Sequence, residues 1–144
     1  MSTKNTLIDT SIWIPAFRRN GPPVVKSRVD TLIADNQAAI NGVIKAELLQ
    51  GAKNDQEFHR IQINLDSLHF LNSIDWNRVG EIAYQLRKRG TSIPLPDVMI
   101  AVQAELSECI LLHADSHFDV IAKIAGLAAE SMVPEIKKWR NTRH

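Results

Sequence analysis

Short aliphatic runs alternate along this chain with longer stretches in which apolar and polar positions recur at helical spacing. Thr6-Leu7-Ile8, Ala38-Ala39-Ile40, Leu68-His69-Phe70-Leu71 and Cys109-Ile110-Leu111-Leu112 are brief and almost wholly apolar, and residues 127–132 form a weaker run of the same kind. Clusters of that length, bounded by turn residues, read as buried strands. Between them the periodicity predicts helices over about 11–19, 25–35, 42–49, 55–65, 76–89, 97–107 and 116–125. The punctuation agrees, with Asn20-Gly21-Pro22-Pro23 and Gly51 as stops, Asp75 as an N-cap and residues 90–96 as a turn-rich loop before Asp97. Strands that are apolar throughout, each followed by a helix, predict an α/β fold: a short parallel sheet covered by helices on both faces. Functional groups in such sheets gather at the carboxyl ends of the strands.

With 144 residues the chain is expected to form one domain with a core over about 6–132 and a short basic tail. No stretch reaches the roughly 18 apolar residues of a membrane span, and the start lacks the apolar segment of a secretory signal. One cysteine, Cys109, excludes an internal disulfide framework and a thiolate zinc cluster. Cytoplasmic residence is the resulting expectation. A net charge of +1 decides nothing about nucleic acid, but basic residues cluster at Arg18-Arg19, at Arg87-Lys88-Arg89 and at Lys137, Lys138, Arg140 and Arg143. Such clusters suit a phosphate backbone, and they equally suit helix C-termini. Trp13, Phe17, Phe58, Phe70 and Phe118 read as core.

The acids carry more information. Asp9 follows the first strand and Asp115 closely follows the fourth. Asp97, Ile100, Ala101 and Ala104 share one helical stripe, and Glu47 stands four after Val43 and three after Ile44. A carboxylate beside an apolar stripe is costly unless something pairs with it, and neither has a lysine or arginine at helix-neighbour spacing. A bound cation would relieve the repulsion, and all-oxygen ligation points to Mg²⁺ or Mn²⁺. Such ions assist phosphodiester cleavage. Ser11 is placed to orient Asp9 or to contact a phosphate. Against this, Asp9, Asp97 and Asp115 each have an ordinary alternative as helix N-caps, and His113 and His117 read as surface or supporting groups around Asp115.

Four segments in register, Leu7-Ile8-Asp9-Thr10-Ser11-Ile12-Trp13, Ile44-Lys45-Ala46-Glu47-Leu48-Leu49-Gln50-Gly51, Ile93-Pro94-Leu95-Pro96-Asp97-Val98-Met99-Ile100-Ala101 and the run from Leu112-His113-Ala114-Asp115 to Ala122, resemble the PIN domain of VapC-type toxins. The resemblance implies an α/β/α sandwich and a metal-dependent ribonuclease acting on structured RNA, often transfer RNA. It also implies a homodimer held in check by a VapB-like antitoxin. Carried over by position, Asp9, Glu47, Asp97 and Asp115 form the acidic quartet, with Ser11 and His113 as substrate-positioning candidates. Two positions depart from the family's pattern. His113 stands where Thr or Ser is frequent, and His117 where a further acid often precedes Phe118; Asp119 is an offset substitute. Two other classes fit the sequence less well: a catalytically silent binding protein on this scaffold, and a receiver-like phosphoacceptor. The second needs adjacent acids after the first strand, where Ile8 and Thr10 flank Asp9.

Overall fold

A computed structural model describes residues 4–142. Met1 to Thr3 and the Arg143 of the basic tail lie outside the described residues. The elements run β1 (Thr6–Ile8), α1 (Thr10–Phe17), α2 (Pro23–Ala34), β2 (Ala38–Asn41), α3 (Gly42–Gln50), α4 (Asp55–Leu65), β3 (His69–Leu71), α5 (Trp76–Lys88), α6 (Leu95–Leu106), β4 (Ile110–His113), α7 (Ser116–Ile121), β5 (Ala129–Ser131) and α8 (Val133–Asn141). All strands pair in parallel in the order β3-β2-β1-β4-β5. Receiver domains follow a different order, 2-1-3-4-5, so the sheet itself removes that alternative.

The central strands are apolar because both of their faces are covered: Leu7, Ile8, Ala39, Ile40, Leu111 and Leu112 are all buried. The edge strands β3 and β5 alternate in exposure instead. From β1 the chain steps to β2 and β3 on one side, then returns to β4 on the other. Right-handed crossovers therefore place α1 to α4 against one face and α5 to α7 against the opposite face. The contacts agree, since α1 packs on α2 and α3, α3 on α4, and α6 on both α5 and α7. The strand order reverses between β1 and β4, and the crevice beyond those strand ends is where an open α/β sheet places its ligand.

Three expectations are corrected. Helix α6 begins at Leu95, two residues before Asp97, because proline is tolerated at the start of a helix: Pro94 takes the cap position and Pro96 the first turn. Residues 133–141 form α8, whose buried Ile136 packs into the core where a plain tail was expected. Phe17 and Phe70 are about half exposed, whereas Trp13 and Phe118 are core as expected.

Candidate metal centre

Each acid is delivered by the local structure of its own segment. Asp9 leaves β1 in extended conformation and caps α1, its carboxylate accepting the Ser11 N–H at 3.0 Å. The Ser11 hydroxyl donates to the same oxygen at 2.6 Å and accepts the Ala114 N–H at 2.9 Å. It thereby ties the end of β1 to the segment following β4. Asn41, fully buried, caps α3 by accepting the Ile44 N–H and sets the phase of the helix that carries Glu47. Ile44 and Leu48 point inward, and Glu47 lies at the exposed rim of that stripe, its carboxylate accepting the Thr10 hydroxyl at 2.9 Å. Asp97 is the third residue of α6, while the cap position belongs to Pro94, so the cap alternative fails for this acid. Asp115 caps α7, accepting the His117 N–H at 2.9 Å. Capping and membership of the cluster coexist at Asp9 and Asp115, because a helix N-terminus at a strand end points its cap into the crevice.

The four acids lie near enough for their charges to act on one another: Asp97 on Asp9, Asp9 and Asp97 on Glu47, and Asp115 on Asp97. The Asp9 carboxyl is pushed up from its ordinary value chiefly by burial, with the Ser11 hydrogen bonds opposing and the negative charge of Asp97 adding. Glu47 is raised by partial desolvation and by Asp9 and Asp97, against the Thr10 hydrogen bond. Asp97 is raised by burial and by Asp115, against its contact with His117. Among the described residues no lysine or arginine forms an ion pair with any of the four. Carboxylates clustered without a lysine or arginine partner are a donor set that suits a hard divalent cation. Asp97, Asp115 and His117 each offer a ligand atom within 4.8 Å of the others.

His113 is buried completely, so it lies behind the crevice without reaching solvent. Its Nδ1 accepts the Asp115 N–H at 3.3 Å, which places the ring proton on Nε2, 3.7 Å from Asp119 Oδ1. Burial holds the ring's pKa below the usual histidine value, against the pull of the surrounding carboxylates. Asp119 is about half exposed, with its Oδ1 3.7 Å from His113 Nε2. Two residues were not assigned to the site from the sequence. Thr10 carries no signal beyond its place after Asp9, since its partner lies 37 residues away. His117, expected to be a surface or supporting group, sets its Nδ1 2.8 Å from Asp97 Oδ2 and 3.4 Å from Asp115 Oδ1.

The family model of the PIN domain matches residues 6–124. The chain belongs to the PIN-domain family. It is similar to ribonuclease VapC11 of Mycobacterium tuberculosis, 33% identical over 131 residues that cover 87% of this chain and 97% of the relative. Among solved structures, VapBC2 from Rickettsia felis, bound to a DNA fragment from the promoter, matches with a TM-score of 0.72 at 23% identity. That match covers 88% of this chain and 97% of the other. A toxin–antitoxin complex from Klebsiella pneumoniae matches at 26% identity with a TM-score of 0.61, over 85% of this chain and 95% of the other.

Beside its acids this PIN domain carries a groove of about 790 Å³ with Glu47 in its wall. Arg18, Arg19, Lys53 and Arg60 line it together with the exposed ring of Phe17. Helix α8 closes one side, where the Trp139 indole donates to the Asn20 carbonyl at 3.0 Å and the Arg18 guanidinium lies 5.9 Å from its ring centre. The basic pair after α1 thus faces the groove, whereas Arg87 and Lys88 sit in the last turn of α5, where the helix dipole favours them. Among the described residues no helix is long and apolar enough to cross a membrane.

Proposed function

We propose that this PIN domain is an Mg²⁺- or Mn²⁺-dependent endoribonuclease that hydrolyses structured RNA, transfer RNA included, as the toxin of a toxin–antitoxin pair. The observation that carries this reading is the convergence of Asp9, Glu47, Asp97 and Asp115 on one crevice without a lysine or arginine partner. The adjoining groove supports a nucleic-acid substrate, because four cations lead a phosphate backbone toward the acids while Phe17 offers a face to a base. When bound, a divalent cation supplies charge stabilisation at a phosphodiester and eases the deprotonation of water.

The chain's own residues divide the remaining work. Asp9 and Asp97 are the direct ligands, and Asp115 completes the set directly or through water. Glu47, at the rim and with its carboxyl raised, is a ligand or takes the proton of the attacking water. Ser11 holds Asp9 in place, and His113 braces the turn that presents Asp115. In-line attack leaves a 5′-phosphate and a 3′-hydroxyl. The Klebsiella toxin–antitoxin complex supports an antitoxin as partner, which this reading takes to be VapB-like, with a homodimer as the working form and the cytoplasm as the place of action.

The test is RNA cleavage by purified, partner-free protein with and without Mn²⁺, beside Asp9→Asn. Cleavage should require the metal and fall by about 100-fold or more in the variant. Full cleavage in EDTA, or a 2′,3′-cyclic product, refutes the mechanism.

A further inference from the structure

We infer that His117 is a nitrogen ligand of this centre and tilts its selectivity from Mg²⁺ toward Mn²⁺. The inference rests on the metal-dependent reading above and concerns a position where this chain departs from an acid. Three observations carry it. Nδ1 of His117 lies 2.8 Å from Asp97 Oδ2 and 3.4 Å from Asp115 Oδ1. One ligand atom each of Asp97, Asp115 and His117 lies within 4.8 Å of the other two, so a single cation can reach all three. The backbone holds the arrangement, because His117 N–H donates to Asp115 Oδ1 at 2.9 Å and α7 fixes both residues in its first turn.

Asp119 Oδ1 lies 3.7 Å from the buried His113 Nε2 and is not among the three grouped ligand atoms, and the His113 Nδ1 lone pair is taken by the Asp115 N–H. His117 is therefore the group that fills the fifth acid's place, and its ring is partly open to solvent, with 38% of the side chain exposed. In the metal-free protein the Nδ1–Asp97 contact is a hydrogen bond. For the Nδ1 lone pair to bind a metal, the proton shared with Asp97 would pass to solvent from a doubly protonated ring, or be exchanged through solvent to Nε2 of a neutral one, so that the ring ends neutral with its proton on Nε2. Carboxylates serve Mg²⁺ and Mn²⁺ alike, whereas an imidazole nitrogen is a poor ligand for hard, reluctantly dehydrated Mg²⁺.

The experiment compares wild type, His117→Asp and His117→Gln, loaded with Mn²⁺ or Mg²⁺ alone. Calorimetric titration gives the two affinities, and pulsed EPR of the Mn²⁺ forms reports nitrogen bound to the ion. Wild type should show ¹⁴N coupling, and both variants should lose it. His117→Gln should bind Mn²⁺ at least about tenfold more weakly. His117→Asp should keep Mn²⁺ while its Mn²⁺-to-Mg²⁺ affinity ratio falls by roughly tenfold. Mn²⁺ bound to wild type without ¹⁴N coupling, or coupling that survives in His117→Asp, overturns the inference and leaves the metal-dependent reading standing. If wild type and Asp9→Asn alike fail to bind Mn²⁺, both readings fall together.

Discussion

Replacing Asp97 by asparagine should stabilise the metal-free protein, although it removes a residue assigned to the working site. The substitution keeps the side chain's shape and removes one charge from the cluster. Ligand atoms of Asp97 and Asp115 lie within 4.8 Å. Two unit charges at that spacing repel by about 1 kcal/mol in bulk water and by about 3.5 kcal/mol at an effective dielectric constant of ~20. The side chains are 16% and 36% exposed, which favours the lower end of that range. Against the gain stand the charge's attraction to the α6 N-terminus, worth about 0.3–1 kcal/mol, and the 2.8 Å hydrogen bond with His117, which an asparagine amide keeps only in its weaker, uncharged form. Asp9 and Glu47 add further repulsion, so the net gain is about 1 kcal/mol, or roughly 2–4 °C in Tm.

The pH dependence fixes the sign independently. The Asp97 carboxyl lies above its ordinary 3.8 in the folded chain, so the folded state holds the proton more tightly than the unfolded state. Its contribution to stability is complete below 3.8 and is lost as pH rises through the raised folded value. Thermal melts in EDTA should therefore show wild type and Asp97→Asn converging in acid and separating toward neutrality, with the variant higher. Added Mn²⁺ should reverse the ranking. A neutral-pH Tm for the variant about 2 °C or more below wild type, or a gap that persists in acid, refutes the electrostatic account.

Ser11→Ala should cost about 1–3 kcal/mol in urea unfolding, because it strips the Ala114 N–H of its acceptor and Asp9 of its shortest hydrogen bond; an effect below about 0.5 kcal/mol would show that the bridge between β1 and β4 carries no strain-free load. The glycines should answer alanine in opposite directions. A Cβ at Gly21 would meet the Pro15 carbonyl oxygen at 1.9 Å, a backbone atom with no freedom to yield, and should destabilise by about 1–3 kcal/mol or more. Gly80, exposed inside α5 with nothing within 4 Å of an added Cβ, should gain about 0.5–1 kcal/mol; thermal melts of both variants decide it.

The parts of this molecule legible in the sequence are those encoded over one or two turns. Leu7-Ile8, Ala38 to Ile40 and Leu111-Leu112 announce buried parallel strands because two covered faces demand apolar residues throughout. Asp75, followed by the Val79, Ile82 and Leu86 stripe, marks α5 because cap and periodicity are both local. Where a local signal had two meanings, the sequence could not choose. Pro94 and Pro96 read as a turn and in fact open α6, which moved Asp97 from a cap position into the first turn. Phe17 and Phe70 carry the composition of core yet face outward, because burial depends on what the rest of the fold lays over a side chain.

The acids themselves were legible for a further reason: a charge beside an apolar stripe conflicts with folding locally, and such conflicts mark function. Their support was not legible, because it is non-local. The Ser11 hydroxyl meets the Ala114 amide 103 residues away, Thr10 meets Glu47 across 37 and His117 meets Asp97 across 20. Pairing of β1 with β2 on one side and with β4 on the other brings the ends of these strands side by side, and the reversal of strand order between β1 and β4 opens one crevice there. The same reversal explains why two ordinary helix caps, Asp9 and Asp115, became neighbours of Asp97. Each cap satisfies its own helix first, and the sheet then turns both toward the same point. A reading confined to local roles would have explained Asp9 and Asp115 fully as caps and missed what draws them toward Asp97.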